Sequence, residues 1–216
     1  MRAAVAIAIV LALASPSRAG DVTGTVKVVD AEGNPVSAKG TIVYVVGFNE
    51  EPPAAEVSIA QKEKHFVPDL VAITAGQTVS FPNVDPFVHN VFSLSPTRKF
   101  DLGSYRKGKS KSKSFPKTGV VDVYCNIHPQ MAATILVVPN RRHARAGKDG
   151  SFTITGVPKG RWKVFAYVRN AARPVFVEVE VGADGATGVS LELVREAGRG
   201  HLNKYGEKYR DEKRYR

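Results

Sequence analysis

Val121-Asp122-Val123-Tyr124-Cys125-Asn126-Ile127-His128-Pro129-Gln130-Met131 decides the reading of this chain. Val121, Val123 and Cys125 alternate with Asp122 and Tyr124, the period of a half-buried strand, so the thiol points inward with the valines. The strand then gives way to a loop that returns an imidazole three residues on and a thioether three further. Cys125 is the sole cysteine of 216 residues. With His89-Asn90 upstream in an apolar stretch, the chain supplies two imidazoles, one thiolate and a weakly binding thioether. That donor set suits copper in an electron-transfer centre.

The N-terminus says where such chemistry would take place. Arg2 gives a positive start, Ala3 to Ala14 form an apolar run too short to span a bilayer, and Ser17-Arg18-Ala19 offers small residues for cleavage. Residues 1–19 are expected to be an export signal, and the mature protein to be periplasmic, with secretion as the alternative. A lone exposed thiol in an oxidising compartment would oxidise or cross-link, a liability removed if a metal occupies the sulfur. No later run has the length and apolarity of a transmembrane helix, which leaves peripheral contact as the membrane mode to consider.

Beyond the central stretch, alternation dominates. Val22, Val26 and Val28 share one face while Thr23, Thr25 and Lys27 share the other; the period recurs at Trp162, Val164, Ala166 and Val168, through Val175–Val181, and at Val189, Leu191 and Leu193. No long stretch carries apolar residues at helical spacing, so the expected class is all-β, built as sandwiches. Glu32-Gly33-Asn34-Pro35, Asp149-Gly150 and Asp184-Gly185 read as tight turns. Glu50-Glu51-Pro52-Pro53 and Pro139-Asn140-Arg141-Arg142 bound a block, residues 55–139, that holds all four candidate metal ligands.

Residues 61 to 138 resemble a cupredoxin of the amicyanin or plastocyanin kind. The resemblance is carried by Phe66-Val67-Pro68, Ala75-Gly76-Gln77-Thr78-Val79, Phe81-Pro82-Asn83-Val84-Asp85, His89-Asn90, Gly119 and the Tyr124–Met131 stretch. Its Cys-x2-His-x2-Met spacing resembles the short ligand loop of amicyanin more than the longer loop of plastocyanin. The resemblance implies a Greek-key sandwich binding one type 1 copper ion, with His89, Cys125 and His128 as equatorial ligands and Met131 as the weak axial one. It also implies that Asn90 locks the two ligand loops together, against the plainer reading of a turn residue. His65, His143 and His201 sit in charged or polar stretches without spacing partners and are not expected to bind the metal. Asp69, Asp85, Asp101 and Asp122 read as turn or solvent-facing positions, with no paired acids or Ser-His-Asp set to suggest an enzyme.

The flanks resemble a second family. Val22-Thr23-Gly24-Thr25-Val26, Gly33-Asn34-Pro35-Val36 and Ile42-Val43-Tyr44-Val45, with Lys148–Ile154 and Val157–Val164 far downstream, look like one transthyretin-like, carboxypeptidase-regulatory-type sandwich. On that resemblance, residues 20–54 plus 140–195 form a host split by insertion of the copper domain, which an exposed loop tolerates. The alternative is a tandem arrangement in which residues 20 to 54 extend the cupredoxin sheet. Residues 196–216, rich in Lys, Arg and Tyr, are expected to be a basic mobile tail.

Removing Arg2 and Arg18 takes the formal charge from +11 to +9, which favours anionic partners. Eight Lys or Arg crowd residues 98–117, with Lys109, Lys111 and Lys113 alternating with serines. Such a strand is either a lysine-protected sheet edge or a docking patch for an acidic redox protein. Export argues against nucleic acid as the partner. The sequence thus points to a one-electron copper carrier whose partner docks at the His128 edge or at the 98–117 segment. The competing readings are a copper carrier or storage protein, and an envelope-binding module with structural copper.

Overall fold

The computed structural model describes residues 19–171, 173–198 and 200–209. The expected export signal, apart from Ala19, lies outside the described residues, as does the end of the basic tail. Regular structure is β throughout, as the alternation predicts, and no described helix is long and apolar enough to cross a membrane.

Eighteen strands run in order among the described residues: β1 (Gly20–Val29), β2 (Pro35–Val36), β3 (Ile42–Val46), β4 (Val57–Ser58), β5 (Ala60–Lys62), β6 (His65–Val67), β7 (Leu70–Thr74), β8 (Thr78–Pro82) and β9 (His89–Ser93). They continue as β10 (Phe100–Tyr105), β11 (Ser110–Ser114), β12 (Gly119–Tyr124), β13 (Ala132–Val138), β14 (His143–Arg145), β15 (Ser151–Val157), β16 (Gly160–Tyr167), β17 (Val175–Val181) and β18 (Ala186–Val194).

The first and last thirds of the chain share two sheets. One has the order β15-β1-β18, with β2 also on β1; the other runs β14-β3-β16-β17. Their buried faces meet in one core: Val22, Val26 and Val28 from β1 and Leu191 and Leu193 from β18 pack with Val43, Val45, Val164 and Val179. Each such side chain taken from water contributes about 1.5–3 kcal/mol before entropy is charged against it. Gly150 turns the β14–β15 connection at φ +82°, and an added Cβ would lie 2.1 Å from the Val26 carbonyl oxygen, so the turn and the close approach both require glycine.

The middle of the chain fills the remaining sheets, β10-β9-β12-β13-β7, β11-β8-β4 and the β5-β6 hairpin. Val79 and Phe81 of β8 pack against Val91, Val121, Val123, Ile135 and Ile73 in a second core that also takes in Cys125 and Met131. Both crossings between the two sets of sheets are fastened at one place. Asn140, fully buried, donates to the carbonyls of Val45 (3.0 Å) and Phe48 (2.9 Å), while Glu50 accepts from the Arg142 guanidinium at 2.7 and 3.0 Å and from the Arg141 amide at 2.8 Å. A small apolar seam, with Ile42 and Tyr167 against Leu70, Leu136 and Val138, backs this fastening.

Candidate metal centre

Strand β12 delivers Cys125 one residue past its end, on the inward side shared by Val121 and Val123; all three are fully buried. The chain then turns tightly. The Met131 amide donates to the His128 carbonyl (3.0 Å) and the Cys125 amide donates to the Met131 carbonyl (3.2 Å), a closed loop that brings His128 back over the thiol. His89 opens β9 on the neighbouring strand, with its side chain wholly inaccessible.

These elements bring together one donor atom each from His89, Cys125 and His128, all within 4.8 Å of one another. His89 Nδ1 lies 3.0 Å from His128 Nδ1, and Cys125 Sγ lies 3.8 Å from His128 Nδ1. Met131 is completely buried in the core that holds Cys125. Two imidazole nitrogens and a sulfur converging in a dry pocket are the chemistry of a soft or borderline metal, and copper fits them.

The protonation states agree with that use. Burial pushes the Cys125 thiol up, with amide hydrogen bonds from Asn90 (3.5 Å) and Ile127 (3.4 Å) acting in the opposite sense. The thiol therefore holds its proton in the metal-free protein, and metal binding must displace it. Burial, reinforced by the charges of His89 and Lys64, lowers His128 to about 4, leaving a neutral imidazole at neutral pH.

Asn90 hydrogen-bonds on two sides of the site. Its side-chain oxygen accepts from the Asn126 amide (3.3 Å), linking the strand of His89 to the loop after Cys125, and its amide nitrogen donates to Asp101 (2.7 Å). Of the other histidines, His65 is exposed and His143 sits in β14, both away from the donors.

One sequence expectation changes. Asp85, expected at a solvent-facing turn, is 4 % exposed and accepts from His89 Nε2 at 2.7 Å, which leaves Nδ1 of His89 for the metal. Burial works against its ionisation, but hydrogen bonds from the Lys64 amide, His89 and the Glu63 amide outweigh it and hold the carboxyl below its ordinary range. The only hint in the sequence was an acid four residues before a histidine. Residues 201–209 of the expected tail find partners on the ligand loop. His201 stacks on Tyr124 at 4.0 Å between centroids, and the Tyr209 hydroxyl donates to the Cys125 carbonyl at 2.8 Å. His128 is 7 % exposed, and the half-exposed Phe87 ring stands edge-on to it at 6.4 Å between centroids.

No known protein-family profile matches the chain, and no curated protein matches its sequence. Among solved structures, the chain is similar to a purple cupredoxin from Nitrosopumilus maritimus at 23% identity, over 38% of this chain and 99% of that one, with a TM-score of 0.35. It is similar to amicyanin from Paracoccus versutus at 24% identity, over 44% of this chain and 97% of that one, TM-score 0.36. A copper-containing nitrite reductase from Thermus scotoductus aligns at 24% identity over 44% of this chain, TM-score 0.38, but the match spans only 25% of the reductase.

Proposed function

We propose that this chain is an exported mononuclear blue-copper protein of the cupredoxin kind, carrying single electrons between partner proteins. The observation that carries the reading is the buried convergence of His89, Cys125 and His128 donors within 4.8 Å. Copper held there supplies a one-electron Cu(I)/Cu(II) couple. His89, Cys125 and His128 would hold it, with the Met131 thioether, buried in the same core, as a weaker donor. The protein's part is to keep those donors still: Asp85 fixes the His89 ring, Asn90 ties the two ligand segments, and the amides of Asn90 and Ile127 point at the sulfur. A site held this rigidly changes little with oxidation state, which is the need of a carrier.

The surface supports an acidic partner. The loop bearing Phe87 is bound to the basic turn beside it, since Asn83 donates to the Phe87 carbonyl (2.8 Å) while the Gly108 amide donates to the Asn83 carbonyl (2.8 Å). Exposed Arg106, Lys107 and Lys109 thus lie on the turn tied to the loop of Phe87, whose ring stands beside His128, an arrangement that would steer an anionic surface toward that edge. The pairing of β1 with both β15 and β18 supports reading residues 55–139 as a guest within a host sandwich, which the sequence resemblance makes transthyretin-like.

The experiment compares two rates on copper-loaded mature protein. Electron exchange with a small inorganic oxidant should be fast, and copper loss to a strong chelator slow. Slow electron exchange with rapid copper loss would overturn the carrier reading in favour of copper delivery.

A further inference from the structure

The segment after β18 returns to the metal centre. Beyond the Tyr209 hydroxyl on the Cys125 carbonyl, His201 Nε2 meets the Pro129 carbonyl at 2.5 Å and the Lys204 amide donates to Asn126 Oδ1 at 2.9 Å. The loop that joins Cys125 to Met131 is therefore gripped at three of its residues by a segment more than seventy residues downstream.

Lys204 also closes a ring. Its Nζ donates to Asp101 Oδ2 (2.8 Å), Asp101 Oδ1 accepts from Asn90 Nδ2 (2.7 Å), Asn90 Oδ1 accepts from the Asn126 amide (3.3 Å), and Asn126 Oδ1 accepts from the Lys204 amide (2.9 Å). Asn90 adjoins His89 and Asn126 adjoins Cys125, so the ring runs through the neighbours of two ligands and is completed only by the tail. Removing the Lys204 side chain takes a partner from Asp101 and opens the ring, so the bond from the Asn126 amide to the Asn90 side chain loses its support from the tail's ammonium.

We infer that residues 201–209 are a built-in strap of the metal centre, in which Lys204 and Tyr209 are positioning residues that set the geometry of the Cys125–Met131 loop. The inference rests on the copper reading for its consequence at the metal, but the strap's grip on the loop stands apart from it. Tyr209 acts at the carbonyl of the ligand residue itself, and Lys204 acts through Asn90 and Asn126. His201 lies flat against Tyr124, the residue before Cys125.

The test uses the full mature chain and a Lys204→Ala/Tyr209→Phe double variant. Lys208→Ala serves as control, since Lys208 is exposed on the same segment and its side chain takes no part in the ring. In metal-free protein, amide hydrogen exchange at Asn126, Ile127 and Met131 should quicken about tenfold or more in the double variant, the loss expected from removing two net hydrogen bonds. After loading with Cu(II), the copper hyperfine splitting and the reduction potential should both move in the double variant and not in the control. A Lys204→Arg variant, which keeps the donor to Asp101, should restore most of the splitting when placed with native Tyr209. Unchanged exchange overturns the strap; faster exchange with unmoved splitting and potential overturns the positioning role and leaves a purely structural one. If the unsubstituted chain takes up no copper at Cys125, the copper reading fails, and the exchange comparison alone decides whether the strap holds the loop.

Discussion

Replacing Asp85 by Asn should reveal how much the carboxylate contributes to the site. The change is nearly isosteric, yet Asp85 uses both oxygens as acceptors, from the Glu63 amide at 2.5 Å, the Lys64 amide at 2.8 Å and His89 Nε2 at 2.7 Å. Asn offers one acceptor oxygen and must aim its NH2 group at another donor. Charge-assisted hydrogen bonds contribute about 1.5–3 kcal/mol and neutral ones about 0.5–1.5, so three such bonds weakened by about 1 kcal/mol each cost roughly 3 kcal/mol. For a chain of this size 1 kcal/mol moves the melting temperature by about 2–4 °C, which gives a fall of roughly 6–12 °C in the metal-free protein. The loaded protein should show a second effect. A negative charge behind a ligand imidazole favours the more positive oxidation state, and at an effective dielectric near 20 a unit charge about 5–7 Å away is worth about 2–3 kcal/mol. That corresponds to a rise of about 100 mV in reduction potential when the charge is removed. Thermal unfolding of the metal-free protein and voltammetry of the loaded one read the two effects separately. An unchanged melting temperature, or a potential that falls, would refute the reasoning.

Glu50 supplies a pH prediction at the junction of the two sets of sheets. Burial tends to raise its pKa, but hydrogen bonds from the Arg141 amide and the Arg142 guanidinium, together with the charges of both arginines, bring it below the ordinary value of 4.5. A carboxyl depressed on folding stabilises above its unfolded pKa and loses that stability as pH falls through the folded one. Glu50→Gln should therefore lower stability by about 1–2 kcal/mol at pH 7, with the gap to the native chain closing below about pH 4 in urea titrations; a constant gap across that range would contradict it. Asn140→Ala leaves the Val45 and Phe48 carbonyls without their donor in a fully buried place, at a cost of roughly 2–4 kcal/mol, while the metal centre keeps its spectrum. Loss of colour in a folded Asn140→Ala protein would mean that the junction also shapes the site.

What the sequence made legible follows from how locally each feature is encoded. The alternation of Val22, Val26 and Val28 is a property of adjacent residues, and those positions are indeed buried on β1. The Cys-x2-His-x2-Met loop carries its own geometry, so Cys125 and His128 meet as read. Asp85 was misread because its burial depends on two backbone amides of the 63–64 turn, about twenty residues away, converging on one carboxylate. The contacts of the tail escaped the sequence reading for a similar reason. Its Lys, Arg and Tyr have no apolar period of their own, and what orders them is hydrogen bonding to a loop 72 to 84 residues earlier. The stacking of His201 on Tyr124 has no local signature at all.

The central claim is tested most directly by the visible absorption spectrum of the mature protein with one equivalent of Cu(II), recorded again after a mild reductant and after reoxidation, beside a Cys125→Ser variant. The account predicts an intense thiolate-to-copper band that bleaches, returns, and is missing from the variant while its fold is kept. A colourless native protein, or a band that survives in Cys125→Ser, would contradict it.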